Sequence, residues 1–317
     1  MFSKTLPRFG VTVRFVDGTN FDEVEAAINE KTRAVFTETI GNPSLQIADI
    51  EALAIVAHRH DVPLVVDNTF ATPYLSKPIE FGADIVVHST TKFIGGHGTS
   101  LGGAIIDSGK FEWKAYRFPT FVEPNELIEY RSFVEVAGEK AFITKARFEL
   151  GHDFGATLSP FNAWLFIQGL ESLSVRVRQH VKNAEAVAAY LAEHDLVEWV
   201  NYPSLPENNQ QKLVEKYLAK GAGSIFSFGI KGGLEAAKTF INNVELLSHV
   251  ANVGDSKSLV IHPASTSHSR LTEEQQLASG VSPGLIRLSI GLEDIEDIKN
   301  DIAQALKKVA LTVATTK

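Results

Sequence analysis

Residues 64–93, LVVDNTFATPYLSKPIEFGADIVVHSTTKF, decide the fold. Two short apolar runs, Leu64–Val66 and Ile85–Val87, have the length and composition of strands buried in a parallel sheet. Each run is followed by polar residues, Asp67-Asn68-Thr69 after the first and His88-Ser89-Thr90-Thr91-Lys92 after the second. Because ligands bind at the carboxyl ends of strands in open α/β sheets, an aspartate and a lysine are predicted at one edge of a sheet.

These two side chains suggest a cofactor. Pyridoxal phosphate (PLP) requires a lysine that can form an imine and an acid that can reach its ring nitrogen. Lys92 and Asp67 are predicted to play these parts. Spacing alone leaves an alternative open, in which Asp67 only shapes a turn and Lys92 is a solvated surface side chain.

Composition limits the classes of function. The chain has 317 residues, enough for two domains, with 44% hydrophobic and 21% charged residues, as is typical of soluble globular proteins. The net charge is −8 and the basic residues are scattered, which argues against nucleic acid or an anionic membrane as partner. There is no cysteine, so thiolate nucleophiles and disulfides are excluded and any sulfur chemistry must use sulfur from a substrate. The first ten residues contain no apolar signal-peptide core, and a cytoplasmic location is expected.

Strand and helix patterns alternate over residues 1–150, which predicts a mostly parallel α/β sheet with helices on its faces. A capping box of Thr19 and Asp22 predicts a helix over Phe21–Ile28, and Asp49 is predicted to cap the next helix. Trp113–Gly138 is predicted to be an irregular loop over the site or at a subunit contact. The predicted strands lie around Val13 (Val11–Val16), Phe36 (Ala34–Ile40), Val65, Val86 and Ile105 (Gly102–Ile106).

The pattern changes after the boundary predicted near residue 150. Pro160–His194 has the composition of a long helix, with an expected interruption near Gly169. Strands and helices then follow without strict alternation, which predicts a smaller α+β domain over residues 151–317. The predicted strands are Val197–Val200, Ser224–Ile230 and Leu285–Ile290, and the predicted helices are Gln210–Ala219, Leu234–Asn242 and Asp294–Ala310.

The glycine-rich run after Lys92 is not a Walker motif, because no Gly-Lys-Ser/Thr follows, and it is interpreted as a turn that passes close to another group. With the preceding strand it forms Val87–Gly98, VHSTTKFIGGHG, which resembles the lysine signature of the Cys/Met-metabolism family of PLP-dependent enzymes. Further similar motifs are Glu38–Pro43 (ETIGNP), Val65–Thr69 (VVDNT), His262–Thr266 (HPAST) and Arg287–Glu293 (RLSIGLE).

The resemblance implies PLP fold type I, the aspartate-aminotransferase-like fold, with the large domain at residues 1–150. The residues Phe118-Pro119, Glu123-Pro124 and Leu158–Ala163 (LSPFNA) resemble the O-acetylhomoserine sulfhydrylase branch. That branch implies γ-replacement, in which O-acetylhomoserine and sulfide give homocysteine and acetate. Cystathionine γ-synthase and the methionine or cystathionine γ-lyases stay open as alternatives within the family.

The resemblance also implies roles for residues of the first half. Lys92 would bind the cofactor covalently and then move substrate protons, and Asp67 would pair with the ring nitrogen. Ser89 and Thr91 would donate hydroxyl hydrogen bonds to the phosphate, and Asn42 would bind near the ring hydroxyl or the substrate. The alternatives are strand-end capping for the two hydroxyls and turn chemistry before a proline for Asn42.

In the second half, Arg287 would bind the substrate α-carboxylate, since guanidinium matches carboxylate in a two-pronged geometry. Ser258 aligns with a family residue near that carboxylate, and a plain strand-start arginine is the alternative for Arg287. His262 and His268 could be taken for metal ligands, but structural roles are favoured and no metal is expected.

Family members have a further segment before the part that matches Met1, so the chain is expected to be truncated at its N-terminus. That segment supplies a phosphate-binding helix start, a ring-stacking tyrosine and a Tyr/Arg pair lent to a neighbouring subunit. The Val11–Val16 strand is expected to lack its partner in the sheet. An incomplete fragment or a non-catalytic subunit is therefore the alternative from another class. The family also implies a homo-oligomer, a dimer of dimers.

Overall fold

The computed structural model describes residues 1–266, 269, 272–278 and 280–315. Its first sheet has the order β1-β2-β3-β4, in which β1, β2 and β3 are parallel and β4 is antiparallel to β3. The strands are β1 (Val35–Glu38), β2 (Leu64–Asp67), β3 (Ile85–Ser89) and β4 (Gly103–Asp107). The predicted mostly parallel α/β sheet is confirmed, with an antiparallel strand at one edge.

A second sheet follows in the chain, with the order β5-β6-β9-β8-β7. Only the short β7–β8 pair is parallel among its described pairings, and the other neighbours are antiparallel. Its mixed pairing agrees with the expected α+β character of this half, while the domain boundary near residue 150 stays a prediction. The strands are β5 (Val197–Asn201), β6 (Ile225–Ile230), β7 (Ser248–His249), β8 (Leu259–Ile261) and β9 (Leu285–Ser289).

Helices cover the sheets and connect them. Asp49 caps α2 as predicted, because its Oδ1 accepts a hydrogen bond of 3.3 Å from the Ala52 N–H. None of the described helices is both long enough and apolar enough to cross a membrane. The helices are α1 (Phe21–Ala27), α2 (Ile50–Arg59), α3 (Thr72–Leu75), α4 (Pro119–Val122), α5 (Phe133–Ala137), α6 (Ala141–Ala146), α7 (Pro160–Ala192), α8 (Gln211–Tyr217), α9 (Gly233–Asn243), α10 (Glu273–Ala278) and α11 (Ile295–Thr315).

Helix α7 is the long helix between the two sheets, and its 33 residues run without the interruption expected near Gly169. Its buried stripe follows the helical period and joins the main hydrophobic core. Gly169 is needed for packing, since an added Cβ would lie 2.1 Å from the Ile94 carbonyl oxygen. The glycine therefore allows close approach of two backbones, and it does not break the helix. The apolar members of the stripe are Phe166, Leu173, Val177, Val181, Ala184, Val187, Ala188 and Leu191.

We expect Gly169→Ala to lower the free energy of unfolding by about 3 kcal/mol, because the new methyl group overpacks a contact with rigid backbone. Urea denaturation of the two proteins measures this difference. Gly151→Ala is the matched control, since no heavy atom lies within 4 Å of its added Cβ, and its effect should stay within about 1 kcal/mol. Equal stability of both variants would contradict the packing role of Gly169.

Two predictions near the N-terminus are wrong. Val11–Val16 forms no strand, and Val11 and Phe15 are exposed at 45% and 71%. A strand needs a neighbour to accept its backbone hydrogen bonds, and the described chain offers none there. The cap of α1 is Asn20 and not Thr19, because the Thr19 hydroxyl donates to Asp17 while Asn20 Oδ1 accepts from the Glu23 N–H.

The segment from Trp113 to Gly138 is more ordered than predicted. It contains α4 and α5 and surrounds a small aromatic core of its own. Arg117 Nη1 donates to the carbonyl oxygens of Asn29 (2.9 Å) and Thr32 (2.8 Å), which precede β1. The segment therefore lies at the amino ends of the strands, and its predicted position over the site is wrong. The predicted subunit contact stays a prediction.

Candidate active site

Lys92 lies in a tight turn directly after β3. Its N–H donates to the Ser89 carbonyl (3.1 Å), and its carbonyl accepts from the Gly96 N–H (2.7 Å). The half-buried side chain points to Asn252, whose Oδ1 accepts a hydrogen bond from Nζ. Burial lowers the Lys92 pKa, and the positive charge of Arg287 lowers it further. Both effects favour the neutral amine, the form that attacks carbonyl groups.

Arg287, on β9, lies beside this lysine. Its Nη1 donates to Asn42 Oδ1 (3.1 Å), and its Nη2 donates to the Asn252 carbonyl (3.3 Å). Burial lowers the Arg287 pKa to about 10, so the group remains a cation at neutral pH. Within the described residues, Arg287 forms no ion pair with a carboxylate. Its charge is thus available to an anionic ligand, and the structure brings together three predicted site residues, Asn42, Lys92 and Arg287.

Asp67 is the last residue of β2, and Ser89 is the last residue of the neighbouring β3. The two strand ends therefore lie side by side, as the sequence predicts. Asp67 Oδ1 accepts from the Thr69 N–H (2.9 Å). Glu38, on β1, has a pKa above its usual value. Burial is the largest cause and the charge of Asp67 adds to it, while the hydrogen bond from the Asn42 N–H acts in the opposite direction. Glu38 thus links Asp67 to Asn42 across this edge of the sheet.

The two predicted phosphate ligands differ in their surroundings. The Ser89 N–H donates to Thr69 Oγ1 (2.8 Å). The Thr91 hydroxyl donates to the Gly102 carbonyl (3.2 Å) and accepts from the Gly102 N–H (3.0 Å). Thr91 would have to give up one of these bonds to donate to a phosphate. The phosphate roles of Ser89 and Thr91 stay predictions.

Ser258 is fully buried, and its hydroxyl is already engaged. It donates to Glu293 Oε2 (2.8 Å) and accepts from the Gly291 N–H (2.8 Å). The structure thus joins Ser258 to Glu293, and it records no contact of Ser258 with Lys92 or Arg287 among the described residues. Its predicted role near a carboxylate stays a prediction.

The histidine that was considered as a metal ligand is bound by protein groups. His262 is 2% exposed, with Nδ1 2.8 Å from Ser265 Oγ and Nε2 2.7 Å from the Pro283 carbonyl. His268 lies outside the described residues. In the part of the chain that is described, no group of three or more acidic or histidine side chains is placed to hold a metal ion.

Asn252 is the site residue that the sequence analysis missed. It lies in the loop between β7 and β8, and it contacts Lys92 through its side chain and Arg287 through its carbonyl. Gly98 faces this loop, since an added Cβ would lie 3.2 Å from Asn252 Nδ2. The only signal in the sequence was Asn-Val-Gly-Asp at 252–255, which also fits an ordinary turn.

His180, on α7, is fully buried beside the lysine turn, with its ring edge-on to Phe93 at 5.5 Å between centroids. Its Nδ1 lies 2.7 Å from the Ile290 carbonyl, so Nδ1 carries the proton and donates. Burial lowers the His180 pKa to about 4, against its usual value of about 6.5. The folded protein therefore holds a neutral imidazole that the unfolded chain protonates more readily.

This difference predicts a pH dependence of stability. Between pH 6.5 and about 4 the unfolded chain binds the extra proton, so His180 should cost on the order of 3 kcal/mol of stability as the pH falls through this window. In His180→Gln the slope of unfolding free energy against pH should decrease by about 1.4 kcal/mol per pH unit there. His152→Gln is the control, because this side chain is 82% exposed. An unchanged slope in His180→Gln would contradict the neutral, buried histidine.

Comparison with known proteins identifies the class of the site. The sequence matches the family described as Cys/Met metabolism PLP-dependent enzyme over residues 1–307. The chain belongs to this family. It is 49% identical over 314 residues to the O-acetyl-L-homoserine sulfhydrylase of Leptospira meyeri, a match that covers 96% of this chain and 71% of that protein. It is 48% identical to the homocysteine synthase of Schizosaccharomyces pombe, over 97% of this chain and 72% of that protein.

A solved structure from Campylobacter jejuni has the same fold, with a TM-score of 0.92 and 39% identity over 96% of this chain and 73% of the other. It is described as an O-acetylhomoserine (thiol)-lyase and carries N'-pyridoxyl-lysine-5'-monophosphate. The predictions of PLP fold type I, of an enzyme and of PLP as its cofactor are thereby confirmed for this member of the Cys/Met metabolism PLP-dependent family.

The residues present fit this cofactor. Lys92 has a pKa lowered by burial, and Asp67 supplies a half-buried carboxylate at the end of the adjacent strand. An amine and a carboxylate at one sheet edge are the donor set that PLP requires. The chemistry of these two groups therefore agrees with the cofactor of the family.

Proposed function

We propose that the chain catalyses γ-replacement, converting O-acetyl-L-homoserine and sulfide into L-homocysteine and acetate. The activities named for the two relatives at 48–49% identity support this substrate choice. The observation that carries the proposal is the cluster of Lys92, Asn252 and Arg287, in which a lysine of lowered pKa lies beside an arginine without a carboxylate partner. An amino acid has a carboxylate for the arginine and acidic protons that the amine can remove.

The proposed roles follow from these contacts. Bound PLP supplies an electron sink for negative charge at the substrate Cα. Lys92 removes the Cα proton and moves the Cβ proton as acid and base. Arg287 binds the α-carboxylate and orients the Cα–H bond toward Nζ. Asp67 pairs with the protonated ring nitrogen.

The remaining predicted residues complete the proposed site. Ser89 and Thr91 donate to the phosphate, with Thr91 exchanging its Gly102 bond for the phosphate oxygen. Asn42 already binds Arg287 and holds it in place for the carboxylate. Ser258 is proposed to lie near that carboxylate, and its hydroxyl would have to leave Glu293 before it could donate to the substrate.

The test is to supply the purified chain and PLP with O-acetylhomoserine and either sulfide or cysteine. Homocysteine formed from sulfide alone supports the proposal. Cystathionine formed from cysteine would favour cystathionine γ-synthase activity instead. A visible band of bound cofactor without turnover would favour the non-catalytic alternative, because the residues for binding would then be present without a working reaction.

We also propose that the chain forms a homo-oligomer and acts in the cytoplasm, with the domain boundary near residue 150. Apolar side chains exposed along α7 support self-association, namely Phe161 (63%), Trp164 (50%) and Ile167 (59%). Sedimentation velocity tests the oligomer, cell fractionation tests the location, and limited proteolysis tests the boundary.

A further inference from the structure

Arg176 is a buried arginine on α7 that takes no part in the proposed reaction. It is 8% exposed, and among the described residues it forms no ion pair with a carboxylate. Its hydrogen bonds go instead to backbone carbonyls and to one hydroxyl. An arginine in such a position is expensive to bury, and therefore its donors must be satisfied by a fixed arrangement of acceptors.

Those acceptors belong to the turn that carries Lys92. Arg176 Nη1 donates to the Phe93 carbonyl (2.8 Å), and Nη2 donates to the Ile94 carbonyl (3.1 Å). Nη2 also donates to the Gly169 carbonyl on its own helix (2.7 Å). The guanidinium thus joins the two residues after the lysine to helix α7.

The turn is shaped to receive this side chain. Gly96 has φ of 73°, and an added Cβ would lie 2.4 Å from Arg176 Nη1. On the other side, the Gly96 carbonyl accepts from Ser256 N–H (2.8 Å) and Ser256 Oγ (2.7 Å). Ser256 lies in the same loop as Asn252, the acceptor of the Lys92 amine. The turn that carries Lys92 and the loop that carries its acceptor Asn252 are therefore connected by hydrogen bonds.

We propose that Arg176 is a positioning residue, which holds the Lys92 turn against α7 and so keeps the Lys92 amine beside Asn252 and Arg287. The side chain of Phe93, the residue after Lys92, is buried. Gly254 packs closely against Phe93, since an added Cβ would lie 2.7 Å from the Phe93 backbone nitrogen. Movement of the turn would change the hydration of Lys92 before it changed the fold. The charged group that faces Lys92 is Arg287, and Arg176 acts through the backbone alone.

The test substitutes Arg176→Lys, which keeps the positive charge but replaces the two separate nitrogens that bind the Phe93 and Ile94 carbonyls by one. Arg178→Lys is the matched control, an exposed arginine two residues further along the same helix. The first measurement needs no cofactor: the rate of acetylation of Lys92 by an amine-reactive ester is followed against pH by peptide mass spectrometry. The second is kcat and KM of the holoenzyme, which rests on the proposed function.

We expect the released turn to hydrate Lys92, which raises its pKa and lowers its acetylation rate at neutral pH by about threefold or more in Arg176→Lys. In the holoenzyme, kcat should fall while KM for the amino acid stays within about twofold. Arg178→Lys should match the unmodified chain in both measurements. Thermal unfolding is recorded beside them, because a purely structural residue would lower only the melting temperature.

Ser172→Ala provides a second variant if Arg176→Lys does not fold, since it removes the acceptor of Arg176 Nε (3.0 Å) together with a bond of 3.3 Å to the Gly169 carbonyl within the same helix, and it leaves both bonds of Arg176 to the lysine turn in place. It should change Lys92 acetylation in the same direction and by less. Unchanged acetylation in every variant that folds would overturn the positioning role. Failure of the unmodified chain to turn over would refute the proposed function, and the acetylation rates would still decide the role of Arg176.

Discussion

Lys92→Ala is expected to lower kcat by about 10³-fold or more, the largest effect of any single substitution in this chain. Lys92 is the lysine that the structure places beside Arg287 with a pKa lowered by burial. Under the proposed function, its loss would remove both the group that holds the cofactor covalently and the proton carrier. Steady-state homocysteine formation measures the effect, and borohydride reduction followed by mass spectrometry locates the modified lysine.

Lys77→Ala is the control for this experiment, because its side chain is 63% exposed and pairs with the equally exposed Glu80. It should retain full activity and the same modified peptide. A reducible cofactor adduct that persists in Lys92→Ala would identify another lysine and refute the assignment. The folded state of both variants is checked by circular dichroism, since removal of the half-buried Lys92–Asn252 bond also affects stability.

Arg287→Lys is expected to raise KM for the amino acid by about 10- to 100-fold with a smaller change in kcat. A lysine keeps the positive charge but replaces two parallel N–H donors by a single group. The lost charge-assisted hydrogen bond corresponds to about 1.5–3 kcal/mol. Arg287 binds Asn42 and the Asn252 carbonyl through two different nitrogens, and a lysine has a single nitrogen in their place, so we expect the loop beside Lys92 to be held less firmly.

The saturation curve for O-acetylhomoserine at fixed sulfide measures this effect. Arg59→Lys is the control, an arginine on α2 whose side chain is 61% exposed, and it should leave the curve unchanged. An unchanged KM in Arg287→Lys would remove the carboxylate role from Arg287. A loss of kcat with unchanged KM would assign it to proton transfer or to the support of Asn252.

The sequence predicted the parts of the fold that depend on local pattern. The strands around Val65 and Val86 were found because buried parallel strands are continuous apolar runs. The cap residue Asp49 was predicted correctly, because a helix cap bonds to a backbone N–H only three residues further along the chain. Val11–Val16 was predicted wrongly, because its strand composition was given more weight than the expected lack of a partner in the sheet.

The site residues that lie in a local sequence motif could be predicted. Those that reach the site through contacts between distant parts of the chain could not. Lys92 and Asp67 follow strands that can be recognised locally, so their shared edge could be inferred. Asn252 is 160 positions from Lys92, and no period or spacing connects them. Arg176 left one signal that was not used, because it lies on the buried stripe of α7 between Leu173 and His180.

The wide separation in sequence of the groups around Lys92 has a consequence for folding kinetics. Asn42 and Arg287 are 245 positions apart in the chain, and Lys92 and Asn252 are 160 apart. Contacts between residues so far apart in sequence close long loops of the chain. We expect them to form after the local helices and the strand pairs that are closer in sequence. We therefore expect these residues to be unformed in the transition state for folding. Substitutions among them should speed unfolding and leave the folding rate nearly unchanged, which would let the site vary without delaying the folding of the chain.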